Sequence, residues 1–328
     1  MSNLHDVAKR AGVSTSTVSR ALTRPELISP ETRRAVLKAV KHLGYAPNAA
    51  AKQLRTRRSG NLLVTVPDIS NPFFALILQG IEDEAQRKGY AVLVGDTQHD
   101  AKREARYADM LLRKEADGLI FLGHRLPKPA AQLVRSAAPR YAPVVNGCEF
   151  SPRLGVPSVH IDNATAAAEA MDHLYRLGHR RIGVVTGPLA SPLSRDRLAG
   201  ATERALIRVH GDFSIQAGVA AAARLLDRPD PPTAVFCFND EMAMGVIEGA
   251  RGRGVRVPRD LSVVGFDDIR FAEHIDPPLT TIAQPMREIG EGTVRMLVDI
   301  LAGRTIAPLS VTLPHALVIR SSTARFRP

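Results

Sequence analysis

Three short hydroxyl side chains and an arginine are spaced along one predicted helix near the start of the chain: Thr15, Ser16, Thr17 and Arg20. Hydroxyl and guanidinium groups hydrogen-bond base edges and phosphate oxygens, and the N-terminal end of a recognition helix is the part that meets the bases. If this helix is the second of a helix-turn-helix, these side chains stand where it meets duplex DNA. The alternatives are an ordinary capping cluster for Thr15 and Ser16, and a solvated surface charge for Arg20.

Two short helices joined by a tight turn are needed to hold those side chains. Gly12 follows the first predicted helix at a position where helices commonly end in the left-handed conformation, and Ser14 is a typical N-cap for the second. Small side chains at the crossing let the two backbones approach closely, as in a helix-turn-helix whose second helix enters the major groove. The apolar face of the first helix consists of Leu4, Val7, Ala8 and Ala11.

A third helix and an alanine-rich segment complete the first sixty residues. Ser29 as N-cap, Pro30 in the first turn and Gly44 at the end delimit the third helix. Residues 48–56 predict a further short helix with too few apolar side chains to be stable by itself, so we expect it to form on DNA, paired with its copy from a second subunit. The predicted apolar stripe of the third helix consists of Val36, Leu37, Val40 and Leu43.

Positive charge is concentrated in the same segment. Residues 1–58 carry twelve Lys or Arg and three Asp or Glu, a net charge of +9, and the other 270 residues carry a net charge of +2. A basic segment that coincides with a groove-reading motif is typical of a module that binds the phosphate backbone. We therefore expect a DNA-binding domain at residues 1–58 and a separate body at residues 59–328.

Short apolar strands alternate with amphipathic helices throughout the body. A first series of strands is predicted at 62–66, 91–94, 118–122 and 143–145, and a second series at 158–161, 182–185, 234–237 and 261–266. This alternation predicts an α/β fold with parallel sheets covered by helices on both faces, arranged in two lobes. We expect a first lobe over about 61–158, completed by a returning C-terminal segment, and a second lobe over about 159–284.

Ligands of such sheets bind at the carboxyl ends of the strands, and two facing lobes make that place a cleft. Phe73 and Phe74 follow the first predicted strand of the body, Asn146 follows the fourth, and Asn239 and Asp267 follow strands of the second lobe. An ionised carboxylate accepts hydrogen bonds from hydroxyl groups. The alternatives are a place in the core for the two rings and helix capping for the aspartate.

Three ordered motifs lie between residues 6 and 51. They are D-V-A-x-x-A-G-V-S-x-x-T-V-S-R from Asp6, S-x-x-T-R from Ser29 and L-G-Y-x-P-N-x-x-A from Leu43. Together they resemble the headpiece of the LacI/GalR family of bacterial transcriptional regulators, and several later stretches are most similar to its cytidine-repressor type. The resemblance implies a repressor with a helix-turn-helix headpiece and a body like a periplasmic binding protein. An alanine-rich helical bundle without a DNA role is the alternative.

The resemblance implies DNA contacts for ten residues. Thr15 and Ser16 match the sequence-selecting pair, and Leu54 matches an apolar wedge that enters the minor groove and kinks the duplex. A leucine that covers its own domain is the alternative for Leu54. The full set is Asn3, His5, Thr15, Ser16, Thr17, Arg20, Thr32, Asn48, Ala51 and Leu54.

For the cleft, the resemblance implies a small-molecule effector, either a nucleoside or a sugar. Arg197, within R-x-R-L-x-G, matches an arginine whose forked guanidinium hydrogen-bonds effector oxygens. Phe213 matches an aromatic ring over the effector, whereas Asn146 stands where many family members carry aspartate. The full set is Phe73, Phe74, Asn146, Ser191, Ser194, Arg197, Phe213, Asn239, Asp267 and Gln284.

Other classes of protein find little support. Motifs of phosphate-binding loops, nucleophile elbows and zinc proteases are absent from the sequence, so we expect no enzyme, cofactor or metal site. Cys148 and Cys237 lack metal-ligand spacing, which favours buried, reduced thiols. Without a signal peptide or an apolar run of membrane-spanning length, we expect a cytoplasmic homodimer, associated with the nucleoid through operator DNA and not with a membrane.

A protein of a different class is the main rival interpretation. The rivals are a sugar- or nucleoside-binding receptor without a DNA role and a sugar-processing enzyme. The basic residues 1–58 argue against both.

Overall fold

A computed structural model describes residues 2–45, 58–137, 140–201 and 207–327. The chain divides into two compact units, Met1–Ser59 and Gly60–Pro328. Within the described ranges, no helix is both long enough and apolar enough to cross a bilayer.

The described part of the first unit contains three α-helices: α1 (Leu4–Ala11), α2 (Thr15–Thr23) and α3 (Pro30–Leu43). The predicted helix ends are confirmed. Oγ of Ser14 accepts a hydrogen bond from N of Thr17 at 3.1 Å, and Oγ of Ser29 accepts one from N of Thr32 at 3.3 Å. Gly12 ends α1 with a φ of 67°, a conformation that glycine adopts at little cost. The short connection from α1 to α2 is that of a helix-turn-helix.

Small and β-branched side chains form the core of this unit. Val7, Val18 and Val36, one from each helix, are completely buried, and alanines pack beside them. The predicted stripe of α3 is wrong at one position, because Leu37 is 44% exposed and Ala39 is buried instead. The small side chain of Ala39 lets α3 pack closely on the other two helices.

A six-stranded parallel sheet forms the first lobe of the body. Its strands are β1 (Asn61–Val66), β2 (Ala91–Asp96), β3 (Gly118–Phe121), β4 (Val144–Gly147), β5 (Ser158–Ile161) and β11 (Ser310–Leu313). They lie in the order β11-β5-β4-β3-β1-β2. The covering helices are α4 (Pro72–Arg87), α5 (Ala101–Leu112), α6 (Lys128–Ala137) and α11 (Met286–Leu301). Leu62 and Leu63 belong to two different core clusters, as expected for a sheet covered on both faces.

A four-stranded parallel sheet forms the second lobe. Its strands are β6 (Ile182–Thr186), β7 (Ile207–His210), β8 (Ala234–Cys237) and β9 (Ser262–Val264), in the order β7-β6-β8-β9. Its helices are α7 (Asn163–Arg176), α8 (Pro192–Ala201), α9 (Ile215–Leu226) and α10 (Asp240–Arg251). A small antiparallel pair, β10 (Thr281–Ala283) with β12 (Ala316–Val318), accompanies the two main sheets. The predicted α/β fold is confirmed.

The boundary between the lobes differs from the prediction. The sequence series placed residues 158–161 in the second lobe, but β5 pairs with β4, where Ser158 lies beside Asn146, and with β11. The prediction was wrong because an apolar strand does not specify which sheet it joins. The chain therefore first enters the second lobe after Ile161.

Glycines allow two pairs of helices to pack in backbone contact. A Cβ atom added to Gly80 of α4 would lie 2.1 Å from the carbonyl oxygen of Arg287 in α11. A Cβ atom added to Gly245 of α10 would lie 2.0 Å from the carbonyl oxygen of Ile215 in α9. Both distances are far below van der Waals contact, so these crossings require glycine.

Candidate DNA-reading helix and effector cavity

The second helix of the first unit presents the predicted base-reading residues to different degrees. Ser16 and Arg20 are exposed, whereas Thr15 and Thr17 are half-buried. Oγ1 of Thr17 lies 2.9 Å from Oγ of Ser14, so Thr17 takes part in the cap of α2. Ser16 and Arg20 are consequently the side chains of this set that are most available to DNA.

Two other predicted DNA contacts, Asn3 and Thr32, also have structural roles. Oδ1 of Asn3 accepts hydrogen bonds from N of His5 at 2.8 Å and N of Asp6 at 3.1 Å, which caps α1. Oγ1 of Thr32 accepts a hydrogen bond from Oγ of Ser29 at 2.9 Å. His5 itself is exposed. Because α1 and α3 begin at these caps, a phosphate near Asn3 or Thr32 would meet a helix N-terminus, which favours anions.

Three of the predicted DNA contacts lie outside the described residues. They are Asn48, Ala51 and Leu54, together with the whole of the hinge helix predicted at 48–56. The minor-groove wedge at Leu54 therefore stays a prediction.

A cavity of about 370 Å³ lies between the two lobes of the body. The first lobe contributes the loop after β1 and the start of α4, and the second contributes α8 and the residues after β7, β8 and β9. This is the carboxyl edge of both sheets, where parallel α/β folds bind ligands. Six of the ten residues predicted for effector binding line it: Phe73, Phe74, Arg197, Phe213, Asn239 and Asp267.

The side chain of Arg197, in the cavity wall, is held by several neighbouring residues. Its Nε donates to Oδ1 of Asn163 at 2.8 Å, its Nη1 donates to the carbonyl oxygen of Phe238, and its guanidinium carbon lies 3.6 Å from the ring centroid of Phe266. Burial lowers the pKa of Arg197, while the carboxylates of Asp267 and Glu149 oppose that shift. The guanidinium is thus held rigidly before any ligand arrives, which lowers the entropic cost of binding.

Asp267 is buried next to Arg197. Its Oδ1 accepts a hydrogen bond from Nε2 of Gln284 at 2.7 Å and lies 3.6 Å from Nη2 of Arg197. Burial raises the pKa of Asp267 to about 7, although Arg197 and Gln284 favour the ionised form. A carboxyl group that titrates near neutrality is sensitive to whatever hydrogen-bond donor a ligand brings.

Aromatic rings flank this polar group. Phe73 and Phe74 pack edge to face with their centroids 5.1 Å apart, and both line the cavity from the first lobe. Phe213 lies in the second lobe with a φ of 75°, and its carbonyl oxygen accepts a hydrogen bond from Nδ2 of Asn239 at 2.8 Å. Rings that face a polar group are typical of pockets for molecules with both apolar faces and polar edges.

The other four predicted effector residues do not line the cavity. Nδ2 of Asn146 donates to the carbonyl oxygens of Phe121 and Gly123, so this side chain links strand ends of the first lobe. Ser194 is completely buried in α8. Ser191 and Gln284 lie behind the lining residues. Ser191 hydrogen-bonds to Glu149, and Gln284 hydrogen-bonds to Asp267.

Several acidic lining residues were missed by the sequence analysis. Glu149, Asp68, Asp212 and Glu241 all line the cavity. Glu149 follows β4 by two residues and is 5% exposed, so its place at a strand end was the available signal. Within the described residues, no group of three or more metal-ligating side chains is arranged to hold a metal ion.

Comparisons with known proteins agree with both units. Residues 3–48 match the family model described as "Bacterial regulatory proteins, lacI family", and residues 171–323 match a periplasmic binding protein-like domain. The HTH-type transcriptional repressor CytR of Escherichia coli strain K12 is 44% identical over 329 residues, which cover 98% of this chain and 96% of the relative. Catabolite control protein A of Priestia megaterium is 34% identical, and the match covers 98% of each chain.

Solved structures extend the agreement to the fold. The Lac repressor dimer bound to operator and the anti-inducer ONPF superimposes with a TM-score of 0.88 at 30% identity, covering 98% of this chain and 99% of that one. A LacI family regulator from Enterococcus faecium with bound ribose has a TM-score of 0.70 at 28% identity, covering 81% of this chain and 100% of that one. Because a near full-length relative is a transcriptional repressor and residues 3–48 match the family model, this chain belongs to the LacI family of bacterial regulatory proteins.

Proposed function

We propose that this protein is a transcriptional repressor whose affinity for operator DNA is controlled by a nucleoside or a sugar bound between the lobes of its body. Two copies bind a nearly palindromic operator, each with one α2 helix in the major groove. One named relative is a transcriptional repressor, another is a catabolite control protein, and one similar structure is a dimer bound to operator. Operator binding places the protein on the chromosome, in the cytoplasm.

The observation that carries the effector assignment is the rigid pair of Arg197 and Asp267, supported from behind by Gln284, in a cavity that aromatic rings also line. The cavity volume of about 370 Å³ suits a molecule of one or two rings. Guanidinium donors and carboxylate acceptors side by side suit vicinal hydroxyl groups, which both donate and accept. Nucleosides and sugars share such hydroxyls, and the similar regulator from Enterococcus faecium holds ribose.

Control of DNA binding follows from linkage between two conformations. A ligand that contacts both lobes favours one angle between them, and operator DNA favours one arrangement of the two headpieces. If these preferences select different states of one equilibrium, the effector changes the affinity for operator. Operator DNA then changes the affinity for the effector by the same factor. The same reciprocity applies whether the effector releases or recruits DNA binding.

Two measurements test the proposal. Selection from a random duplex library with the full chain should enrich a nearly palindromic site, and a thermal-shift screen of nucleosides, purines and sugars should find a compound that stabilises the protein by mass action. That compound should then change the affinity for the enriched site. Removal of residues 1–58 should abolish DNA binding and leave the thermal shift intact. DNA binding that survives this deletion would contradict the assignment of the two roles to two units.

A further inference from the structure

Two buried carboxyl groups from different lobes line the effector cavity. Glu149 follows β4 of the first lobe, Asp267 follows β9 of the second, and each residue is 5% exposed. Both lie close enough to Arg197 to favour its charged form. A ligand in this cavity therefore has a carboxyl group on each side.

Each carboxyl group uses one oxygen for its protein contacts. Oε2 of Glu149 accepts from Oγ of Ser191 at 2.7 Å and lies 3.2 Å from Nδ1 of His124. Oδ1 of Asp267 makes both contacts of that side chain, with Gln284 and Arg197. The other oxygens, Oε1 of Glu149 and Oδ2 of Asp267, take no part in these contacts and belong to side chains that line the cavity. A carboxylate oxygen outside these contacts can accept a hydrogen bond from a ligand in the cavity.

The charge of the cavity wall is unbalanced toward the negative. Asp68, Asp212 and Glu241 line it in addition to Glu149 and Asp267. Hydrogen bonds from Ser214 lower the pKa of Asp212, which keeps that carboxylate ionised. The guanidinium of Arg197 is already paired with Asp267. An anionic ligand would therefore meet carboxylates on several sides with no unpaired guanidinium among the lining residues to receive it.

We infer that Glu149 and Asp267 determine effector specificity: they select an uncharged molecule with hydrogen-bond donors at two separated positions, and they exclude its phosphate ester. The inference rests on the proposed function and adds to it the charge state of the effector and a residue, Glu149, that reads it. An amino or hydroxyl group of the ligand donates to Oε1 of Glu149, and a hydroxyl group donates to Oδ2 of Asp267. The two contacts join the lobes through the ligand.

Matched pairs of probes test this selectivity on the full chain. We would measure dissociation constants by calorimetry for cytidine against cytidine 5′-monophosphate, and for ribose against ribose 5-phosphate. The expected result is binding of at least one unphosphorylated compound, with its phosphate ester at least about tenfold weaker, a difference of about 1.4 kcal/mol. A phosphate ester that binds as tightly as its parent compound, or binding of none of the four probes, would overturn the inference.

A variant of Glu149 tests the residue itself. Glu149→Gln preserves the shape and an acceptor for Ser191 but removes the charge, so we expect weaker binding of the unphosphorylated probe and a smaller preference over its phosphate ester. Glu82→Gln, at an exposed position of α4, is the matched control. Equal behaviour of the two variants would overturn the role of Glu149.

The outcome is separable from that of the proposed function. Operator binding that responds only to phosphorylated compounds would leave the repressor function intact and overturn the selectivity. A chain that prefers the unphosphorylated probes but binds no operator would support the selectivity and contradict the repressor function.

Discussion

Nη2 of Arg197 lies 3.6 Å from Oδ1 of Asp267, and both side chains are buried in the wall of the interlobe cavity. Neither charge could be buried there alone at a tolerable cost, because an isolated buried ion loses its hydration without compensation. The pair therefore links the integrity of the second lobe to the chemistry of the effector site.

Arg197→Lys keeps the positive charge and removes the forked geometry. The planar guanidinium serves Asn163, Phe238 and Asp267 at once, which a single ammonium group cannot do. We expect effector binding to weaken at least about tenfold while the protein still folds. Calorimetric titration with the compound found by the thermal-shift screen measures this.

Arg195→Ala is the control for that variant. Arg195 lies on the same helix, is exposed, and donates to the carbonyl oxygens of Leu189 and Ala190 rather than to the cavity. Its loss should leave effector affinity within about twofold. A loss of affinity as large as that of Arg197→Lys would mean that α8 as a whole, and not its buried guanidinium, governs binding.

Effector affinity should depend on pH through Asp267. Burial raises the pKa of this carboxyl to about 7, and a ligand that donates a hydrogen bond to it favours the ionised form, so binding releases a proton. We therefore expect affinity to rise with pH, by up to about tenfold per unit below the pKa, and to level off above it. Calorimetric titrations in buffers of different ionisation enthalpy measure the number of protons released on binding. Asp267→Asn should flatten the dependence of affinity on pH. An unchanged slope in that variant would contradict the assignment.

Leu54→Ala should separate operator recognition from general DNA binding. An apolar wedge contributes only where the duplex is kinked, so affinity for the selected operator should fall at least about tenfold more than affinity for random DNA. Lys52→Ala is the matched control, because removal of a positive charge from the same basic segment should lower both affinities together and reduce their salt dependence by up to about one ion. Equal losses in Leu54→Ala would argue against the wedge.

Local signals in the sequence identified most of the headpiece and the position of the cleft. The caps at Ser14 and Ser29 depend on a few neighbouring residues, so they were predictable without any tertiary information. The exposure of Leu37 was not, because helical periodicity leaves the edges of an apolar stripe undefined. Glu149 had one local signal, its place two residues after β4, but its contact with Ser191 joins the two lobes and was not predictable from local sequence.

Gly245→Ala should destabilise the body without touching the cavity. The new methyl group would lie 2.0 Å from the carbonyl oxygen of Ile215, so α9 and α10 must separate. Overpacking of this kind costs about 1–3 kcal/mol, measurable by urea unfolding. Gly252→Ala is the control, because its nearest neighbour would be 3.7 Å away, and it should change stability by less than about 0.5 kcal/mol. A neutral Gly245→Ala would contradict the close crossing.

Stability should fall on acidification because of buried histidines. Burial lowers the pKa of His179 below its ordinary value of 6.5, while its ring binds Thr233 and the carbonyl oxygen of Ala324. Below that value the unfolded chain takes up a proton that the folded ring does not, so unfolding becomes easier as pH decreases. His179→Gln should reduce the slope of unfolding free energy against pH. His274→Gln, on an exposed ring, should leave the slope unchanged, and identical slopes in all three proteins would contradict this account.

The sheet of the first lobe is complete only when its edge strand β11 (Ser310–Leu313) has paired with β5. A ribosome therefore releases the three-helix unit, with its own core, long before the sensing half of the protein has all its strands. A premature stop codon upstream of Ser310 would leave α1 to α3 in the translated chain but remove β11 from the first lobe. On the proposed function, such truncations yield fragments that keep the DNA-binding helices but whose DNA binding no longer responds to the effector.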